Sequence, residues 1–269
     1  MKAHDLLAAT LLALVGCVIS GFALPDGPLP PAKDIVAHYD EALGGRAAIL
    51  RHTSTTMRGT LTIQGPGGQS MGLPFVYIAS APYRRLERVS LPGNAGDVLN
   101  GFDGEVAWSF DPRNKNAQVY DGNDRESAKR DADYYYPLDE LSWFKSMETV
   151  GEEEFEGRRC FRLHGINNWN KSNDHLYDRD TGLLAGYEFN SDFGATHEIF
   201  SDYKKVDGVL FPMKQTVKVN ANDGHGWVVR QVLTYTSVTF NDVDAAAFRL
   251  PQAVQDLLAK RSPSAGSPK

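Results

Sequence analysis

The chain has 269 residues, with 28 Lys and Arg against 34 Asp and Glu and a formal net charge of −6. A mildly acidic chain is a poor match for proteins that bind the phosphate backbone, so no nucleic-acid partner is expected. Only two cysteines occur, Cys17 and Cys160. Once Cys17 is cleaved off or acylated, Cys160 has no partner for an intramolecular disulfide. The remaining length suffices to bury the core of one β domain, which we place at residues 24–260.

The N-terminus has the pattern of an export signal. Lys2 precedes a long apolar run that extends from Leu6 to Leu24. A short basic segment followed by an apolar segment is typical of secretory signal peptides. Gly21 and Ala23 are the small residues of a cleavage site, so residues 1–23 are predicted to be a signal peptide. The mature protein is then expected in the periplasm.

Two other interpretations of this segment stay open. Leu14-Val15-Gly16-Cys17 fits a bacterial lipobox. The signal would then cover residues 1–16, Cys17 would carry lipid, and the protein would contact the inner or outer membrane through that anchor. The apolar run is also long enough for an uncleaved membrane-spanning helix.

Helical periodicity appears just after the Pro-rich start of the mature chain. Ile35, Tyr39 and Leu43 recur at helical spacing, and Gly44-Gly45 follows in the manner of a helix C-terminus. We predict a helix at Ala32–Leu43 whose apolar stripe is buried.

Most of the remaining chain alternates between apolar and polar residues, which is typical of half-buried strands. Met57, Leu61 and Ile63 begin the pattern, and Asp-Gly pairs that favour tight hairpins punctuate it. Nine segments fit: 57–63, 73–80, 83–90, 105–110, 158–165, 183–190, 196–203, 209–219 and 227–240. The predicted fold is mostly β: a single antiparallel, strongly curved half-barrel of about eleven strands, with helices covering the concave face.

Three segments depart from this alternation. Asp124–Met147 is charged and then aromatic, and is predicted to form two short helices split near Pro137. Glu152–Glu154 is predicted to be a solvated loop, and Asp174–Asp180 a hairpin turn. Residues 261–269 are rich in Ser, Pro, Gly and Lys and are predicted to be disordered.

In order and spacing, a series of short motifs resembles the outer-membrane lipoprotein-sorting superfamily, the LolA-like carriers. The most telling motif is Gly101-Phe102-Asp103-Gly104-Glu105-Val106-Ala107-Trp108. The others are Ala42-Leu43-Gly44-Gly45, Pro82–Glu87, Val150-Gly151-Glu152, Tyr177–Leu184, Asp202-Tyr203, Val206–Pro212 and Phe248–Pro251. The resemblance extends from about Ile35 to Pro251. In one departure, Ala81 stands where the dedicated carriers commonly have a basic residue.

The resemblance implies an incomplete barrel around helices, with an apolar cavity that holds the acyl chains of a lipid or lipidated protein. Ten side chains are the candidate ligand-binding residues: Phe75, Tyr77, Arg84, Arg85, Val106, Trp108, Phe110, Tyr135, Trp143 and Phe144. The arginine cluster Arg84, Arg85 and Arg88 is predicted to be the polar rim of the site. The alternative for these arginines is an ion pair with Glu87 or Glu105.

Two rival functions come from different classes. A filled β core would make the protein an interaction module that docks on an envelope complex. Gly68-Gln69-Ser70-Met71-Gly72 satisfies G-x-S-x-G, which would suit a hydrolase, but Pro66-Gly67 before it and an apparent strand after it indicate a hairpin. The histidines are scattered without metal-ligand spacing. We therefore predict a non-catalytic carrier with no metal and no cofactor.

Overall fold

The computed structural model describes residues 27–65, 67–220, 224 and 226–261. Within these ranges lie five α-helices: α1 (Ala32–Leu43), α2 (Arg46–Ile49), α3 (Gly122–Asp131), α4 (Tyr136–Asp139) and α5 (Gln252–Arg261). The strands are β1 (Ser54–Gln64), β2 (Ser70–Ser80), β3 (Arg84–Ser90), β4 (Asp97–Phe102), β5 (Ala107–Asp111), β6 (Asn116–Tyr120), β7 (Phe144–Phe155), β8 (Arg158–Asn167), β9 (Ser172–Asp178), β10 (Leu184–Ser191), β11 (Gly194–Val206), β12 (Val209–Asn220) and β13 (Val228–Phe240). The signal segment, Cys17 and the tail 262–269 lie outside these residues. None of the described helices is long and apolar enough to cross a membrane.

All thirteen strands belong to one antiparallel sheet in the order β6-β5-β4-β3-β2-β1-β13-β12-β11-β10-β9-β8-β7. The first and last strands of the chain's β series, β1 and β13, pair in the middle. β6 and β7 are the two edges, so the sheet is open and curved rather than closed. The predicted fold class is confirmed, with two strands more than the expected eleven.

Two of the segments predicted as irregular are strands. Glu152–Glu154 lies in the edge strand β7, paired with Arg159–Phe161 of β8. The loop prediction is therefore wrong: acidic residues suit an exposed edge strand, where charge discourages pairing with other chains. Asp174 lies in β9, and only the end of the predicted turn is correct. There, Asp178 Oδ1 accepts hydrogen bonds from the backbone N–H groups of Asp180 and Thr181, at 2.9 Å each.

Helix α1 packs on the concave face with the predicted stripe, Ile35, Tyr39 and Leu43, buried. Their partners include Leu163 and Tyr177 of β8 and β9. Gly44 ends the helix at φ +127°, a conformation that favours glycine, and a side chain there would collide with the Gly208 carbonyl. α1 therefore fills one end of the concave face.

The segment between β6 and β7 must join the two opposite edges of the open sheet, so it crosses the concave side. It contains α3, α4 and a 3₁₀ turn at Glu140–Trp143. The predicted helical insertion is confirmed, although the break between the two helices lies at residues 132–135 rather than at Pro137. We call this segment, residues 121–143, the crossing segment.

The outer face of β3–β6 carries a second apolar cluster. Trp108 is 2% exposed and packs with Leu86, Phe248 and Val254. Helix α5, with the fully buried Val254, covers this face. The sheet is therefore apolar on both faces here, with a helix on each.

Candidate ligand cavity

A cavity of about 960 Å³ lies between the concave face and the crossing segment. That is the upper range of pockets that hold small organic ligands. Ten aromatic side chains line it: Phe75, Tyr77, Tyr134, Tyr136, Trp169, Tyr187, Phe189, Phe200, Phe211 and Tyr235. The question that the sequence left open, a filled or an open interior, is decided in favour of an open one.

The position of the cavity follows from the strands that carry α1. Along β9, Tyr177 packs against α1, whereas His175 and Asn173, two and four residues earlier on the same face, line the cavity. Along β12, Val209 packs against α1 and Val217 lines the cavity. On each strand, the concave side chains at one end contact the helix and those nearer the other end line the cavity, because alternate residues share one face.

A buried polar network fixes the crossing segment to the sheet. The Glu140 carboxylate, 1% exposed, accepts hydrogen bonds from the Tyr177 hydroxyl at 2.7 and 2.8 Å and lies 2.6 Å from His175 Nδ1. The other ring nitrogen of His175 lies 2.9 Å from Asn173 Nδ2. A buried carboxylate without such partners would be strongly destabilising. The network therefore anchors the Glu140–Trp143 turn over β9.

This network was not predicted from the sequence. His175 and Tyr177 alternate on one face of a strand, which is a detectable signal. Glu140 gives no local signal, because its partners lie 35 and 37 residues away in the chain.

A charged wall interrupts the aromatic lining. Arg85 of β3 donates from Nη1 to Glu87 at 3.1 Å. Arg130 of α3 donates from Nε and Nη2 to Asp131 at 3.0 and 2.6 Å. The Arg130 guanidinium also lies over the ring of Trp169, 5.4 Å from its centroid. All five residues line the cavity, so this wall is formed by both the sheet and the crossing segment.

Glu198 is an acidic group in the aromatic part of the lining. Burial, followed by the Asp131 carboxylate, raises the pKa of Glu198 from 4.5 to about 7. Gln215 Nε2 donates to its carboxylate at 2.5 Å. Near neutral pH this carboxyl is therefore partly protonated, which lowers the cost of holding it against apolar side chains.

The structure divides the ten predicted ligand residues into four groups. Phe75, Tyr77 and Arg85 line the cavity. Arg84 is exposed on the outer face, since β3 alternates and Arg85 points inward.

Val106, Trp108 and Phe110 do not line the cavity, which corrects their predicted place. They belong to the outer cluster beneath α5. The prediction that these three residues share one face of the strand is correct, but that face is the outer face of the sheet. Large apolar residues occupy it because α5 covers them.

Tyr135, Trp143 and Phe144 are not among the residues that line the cavity. Tyr135 donates its hydroxyl to the His52 carbonyl at 3.1 Å, and Trp143 donates Nε1–H to Asp133 Oδ2 at 2.8 Å. Phe144 is buried against the edge of the His175 ring, with centroids 5.2 Å apart. These rings hold the crossing segment in place, whereas Tyr134 and Tyr136 of the same aromatic run line the cavity.

Ser70 of the G-x-S-x-G motif and the remaining cysteine, Cys160, have ordinary structural surroundings. Ser70 is exposed at the start of β2, opposite Gln64 across the β1–β2 hairpin. A nucleophile elbow requires a strand, a sharp turn and a helix, which this hairpin lacks. Cys160 is fully buried, and burial raises the pKa of its thiol to about 12, so a reactive thiolate is disfavoured.

Solved structures with the same fold were found by comparison. A DUF1329 family protein from Desulfovibrio piger is 13% identical, with a TM-score of 0.58 over 82% of this chain and 98% of that one. A LolA superfamily protein from Nitrosomonas europaea is 11% identical, with a TM-score of 0.58 over 82% and 99%. A domain assigned to the outer membrane lipoprotein-sorting proteins of Vibrio parahaemolyticus is 14% identical, with a TM-score of 0.55 over 85% and 97%. No family model and no curated protein matches the sequence. The chain has a LolA-like fold, which confirms the resemblance at the level of fold.

Proposed function

We propose that the protein is a non-catalytic carrier in the cell envelope that holds an acyl chain of a lipid or lipidated protein in the cavity. The observation that carries the proposal is the open space of about 960 Å³ lined by ten aromatic side chains. The apolar part of this lining gains free energy when a chain displaces water from it. The printed names of the similar structures, which refer to LolA and lipoprotein sorting, agree with such a role.

The envelope location rests on Lys2 and the apolar run to Leu24. The interaction module, the first rival, was expected to have a filled core. The open cavity favours the carrier over that rival. The hairpin surroundings of Ser70 likewise favour a binding role over hydrolysis.

Native mass spectrometry of the protein purified from an envelope fraction, followed by lipid extraction, tests the carrier role. We expect a bound species that dissociates as a lipid or acylated peptide. Val217→Trp, which projects a larger side chain into the cavity from β12, should reduce the amount of this species. Thr216→Trp is the matched control, because Thr216 is the adjacent residue and faces outward.

Retention of ligand by Val217→Trp at the wild-type level would contradict the proposal. So would a wild-type protein that is free of ligand and binds no added fatty acid or phospholipid.

A further inference from the structure

The charged wall of the cavity contains a hydrogen-bond donor that has no acceptor among the described residues. Arg85 lines the cavity, and its Nε–H is buried without a hydrogen-bond partner among the described residues. Nη1 of this guanidinium donates to Glu87 at 3.1 Å. A buried donor without an acceptor costs free energy, so a position of this kind suits an incoming acceptor.

A second guanidinium belongs to the same charged wall. Arg130 belongs to the crossing segment, whereas Arg85 belongs to the sheet, and both line the same cavity. Asp131 engages Nε and Nη2 of Arg130, which leaves Nη1 outside that pair. Trp169 fixes the plane of the Arg130 guanidinium from one side.

The two arginines remain charged in this position. Burial lowers the pKa of Arg85, but the Glu87 and Asp131 carboxylates more than offset that effect, and the pKa is raised overall. The remaining acidic groups of the lining are already hydrogen-bonded. Asp133 accepts hydrogen bonds from Trp143 and from the Tyr135 backbone N–H, and Glu198 accepts one from Gln215 Nε2.

We propose that Arg85 and Arg130 together bind the anionic oxygen group of the ligand, a carboxylate or phosphate, while its chain occupies the aromatic part of the cavity. This inference rests on the proposed carrier function and names the class of its ligand, an anionic amphiphile. A planar guanidinium presents paired N–H donors that match such oxygens in a bidentate manner. The outward-facing Arg84 and Arg88 take no part, because β3 alternates.

The test compares two probes of equal chain length, oleate and oleyl alcohol, by calorimetric titration at mildly alkaline pH. The two ligands differ only in the charged oxygen group. We expect oleate to bind about ten- to a hundredfold more tightly, as a charge-assisted hydrogen bond implies. Inorganic phosphate, titrated alone, measures binding of the anion without a chain.

The variants separate the two faces of β3. Arg85→Gln and Arg130→Gln should each reduce the preference for oleate, and Arg85→Lys should reduce it in part because lysine lacks the planar fork. Arg84→Gln and Arg88→Gln are the matched controls and should retain it. The double variant Arg85→Gln, Glu87→Gln removes the ion pair without leaving a lone buried carboxylate, so it tests the site even if Arg85→Gln fails to fold.

The outcomes distinguish this inference from the carrier function. Equal binding of oleate and oleyl alcohol to the wild-type protein would overturn the anion site and leave the carrier role standing. Binding of neither would overturn both. Inorganic phosphate that binds as tightly as oleate would show that the site takes a free anion, which would contradict the amphiphile. An undiminished preference in a folded double variant would remove Arg85 from the site.

Discussion

At the scale of single residues, Arg84 and Arg85 show what alternation can and cannot predict. Both were predicted to be ligand-binding residues, although neighbours in a strand face opposite sides. The structure puts Arg85 in the cavity, paired with Glu87, and Arg84 in solvent. The predicted alternative, an ion pair with Glu87, is present for Arg85. The concave face of β3 is determined by its packing with distant strands. The local sequence therefore does not indicate which face of β3 is concave.

Trp108 belongs to a filled cluster, so its replacement should affect stability alone. Trp108→Ala removes a side chain that is 2% exposed and packs with Leu86, Phe248 and Val254. We expect the free energy of unfolding to fall by about 3–5 kcal/mol, measured by chemical denaturation. Ligand retention at a temperature where the variant is folded should be unchanged. Weakened retention together with unchanged stability would place Trp108 back in the ligand site.

Glu198 gives a pH dependence of defined sign. Because its folded-state pKa of about 7 exceeds its ordinary value of 4.5, the folded protein binds more protons than the unfolded chain between these values. Stability should therefore fall as the pH rises through this window. Glu198→Gln should raise the free energy of unfolding by about 1–3 kcal/mol above pH 7 and leave it unchanged near pH 4.

Thermal melting across this range measures the Glu198 effect. Glu105→Gln, at an exposed position, is the control and should leave the profile unchanged. A destabilised Glu198→Gln at high pH would mean that the carboxylate is stabilised in the cavity, contrary to the account.

At the scale of elements, α1 was predicted correctly and β5 was placed on the wrong face. The apolar stripe of α1 and the glycine at its C-terminus are both local features of the sequence, so the helix could be predicted from them. β5 has apolar residues on both faces, because α3 approaches one and α5 covers the other. Alternation then identifies the residues that share a face and leaves the choice of face to tertiary packing.

Helix α5 should be essential for the outer cluster. Val254→Asp places a carboxylate at a fully buried position with no described basic partner in its cluster, which should release the helix. We expect a lower melting temperature and a red-shifted tryptophan emission as Trp108 becomes hydrated. Ala259→Asp, on the exposed side of α5, is the control. Equal effects of the two substitutions would contradict the packing of α5 on the sheet.

At the scale of the whole molecule, the connectivity explains why there is a cavity at all. The sheet is open, its edge strands β6 and β7 are consecutive in the chain, and their connection must cross the concave side. The Glu140 network holds that connection above β9. Nine of the thirteen strands were predicted from alternation, whereas β4, β6, β7 and β9 were not. The pairing of β1 with β13 and the distance of the crossing segment from the sheet could not be predicted either, because both depend on contacts between distant residues.

Export remains a prediction about the N-terminus. Lys2 and the apolar run to Leu24 predict a mature protein that begins at Leu24 or at an acylated Cys17. Intact-mass measurement of the protein from an envelope fraction distinguishes the two. A full-length species beginning with Met1 and recovered from the cytoplasm would contradict both.

The central claim, that an acyl chain occupies the cavity, is tested most directly by nuclear magnetic resonance with carbon-13-labelled oleate. We expect intermolecular Overhauser effects from the chain methylenes to the rings of Phe189, Phe200 and Tyr235, all of which line the cavity. Phe193, 74% exposed in the β10–β11 hairpin, is the surface control and should show none. Contacts from the bound chain to Phe193, with none to the three cavity rings, would contradict the account.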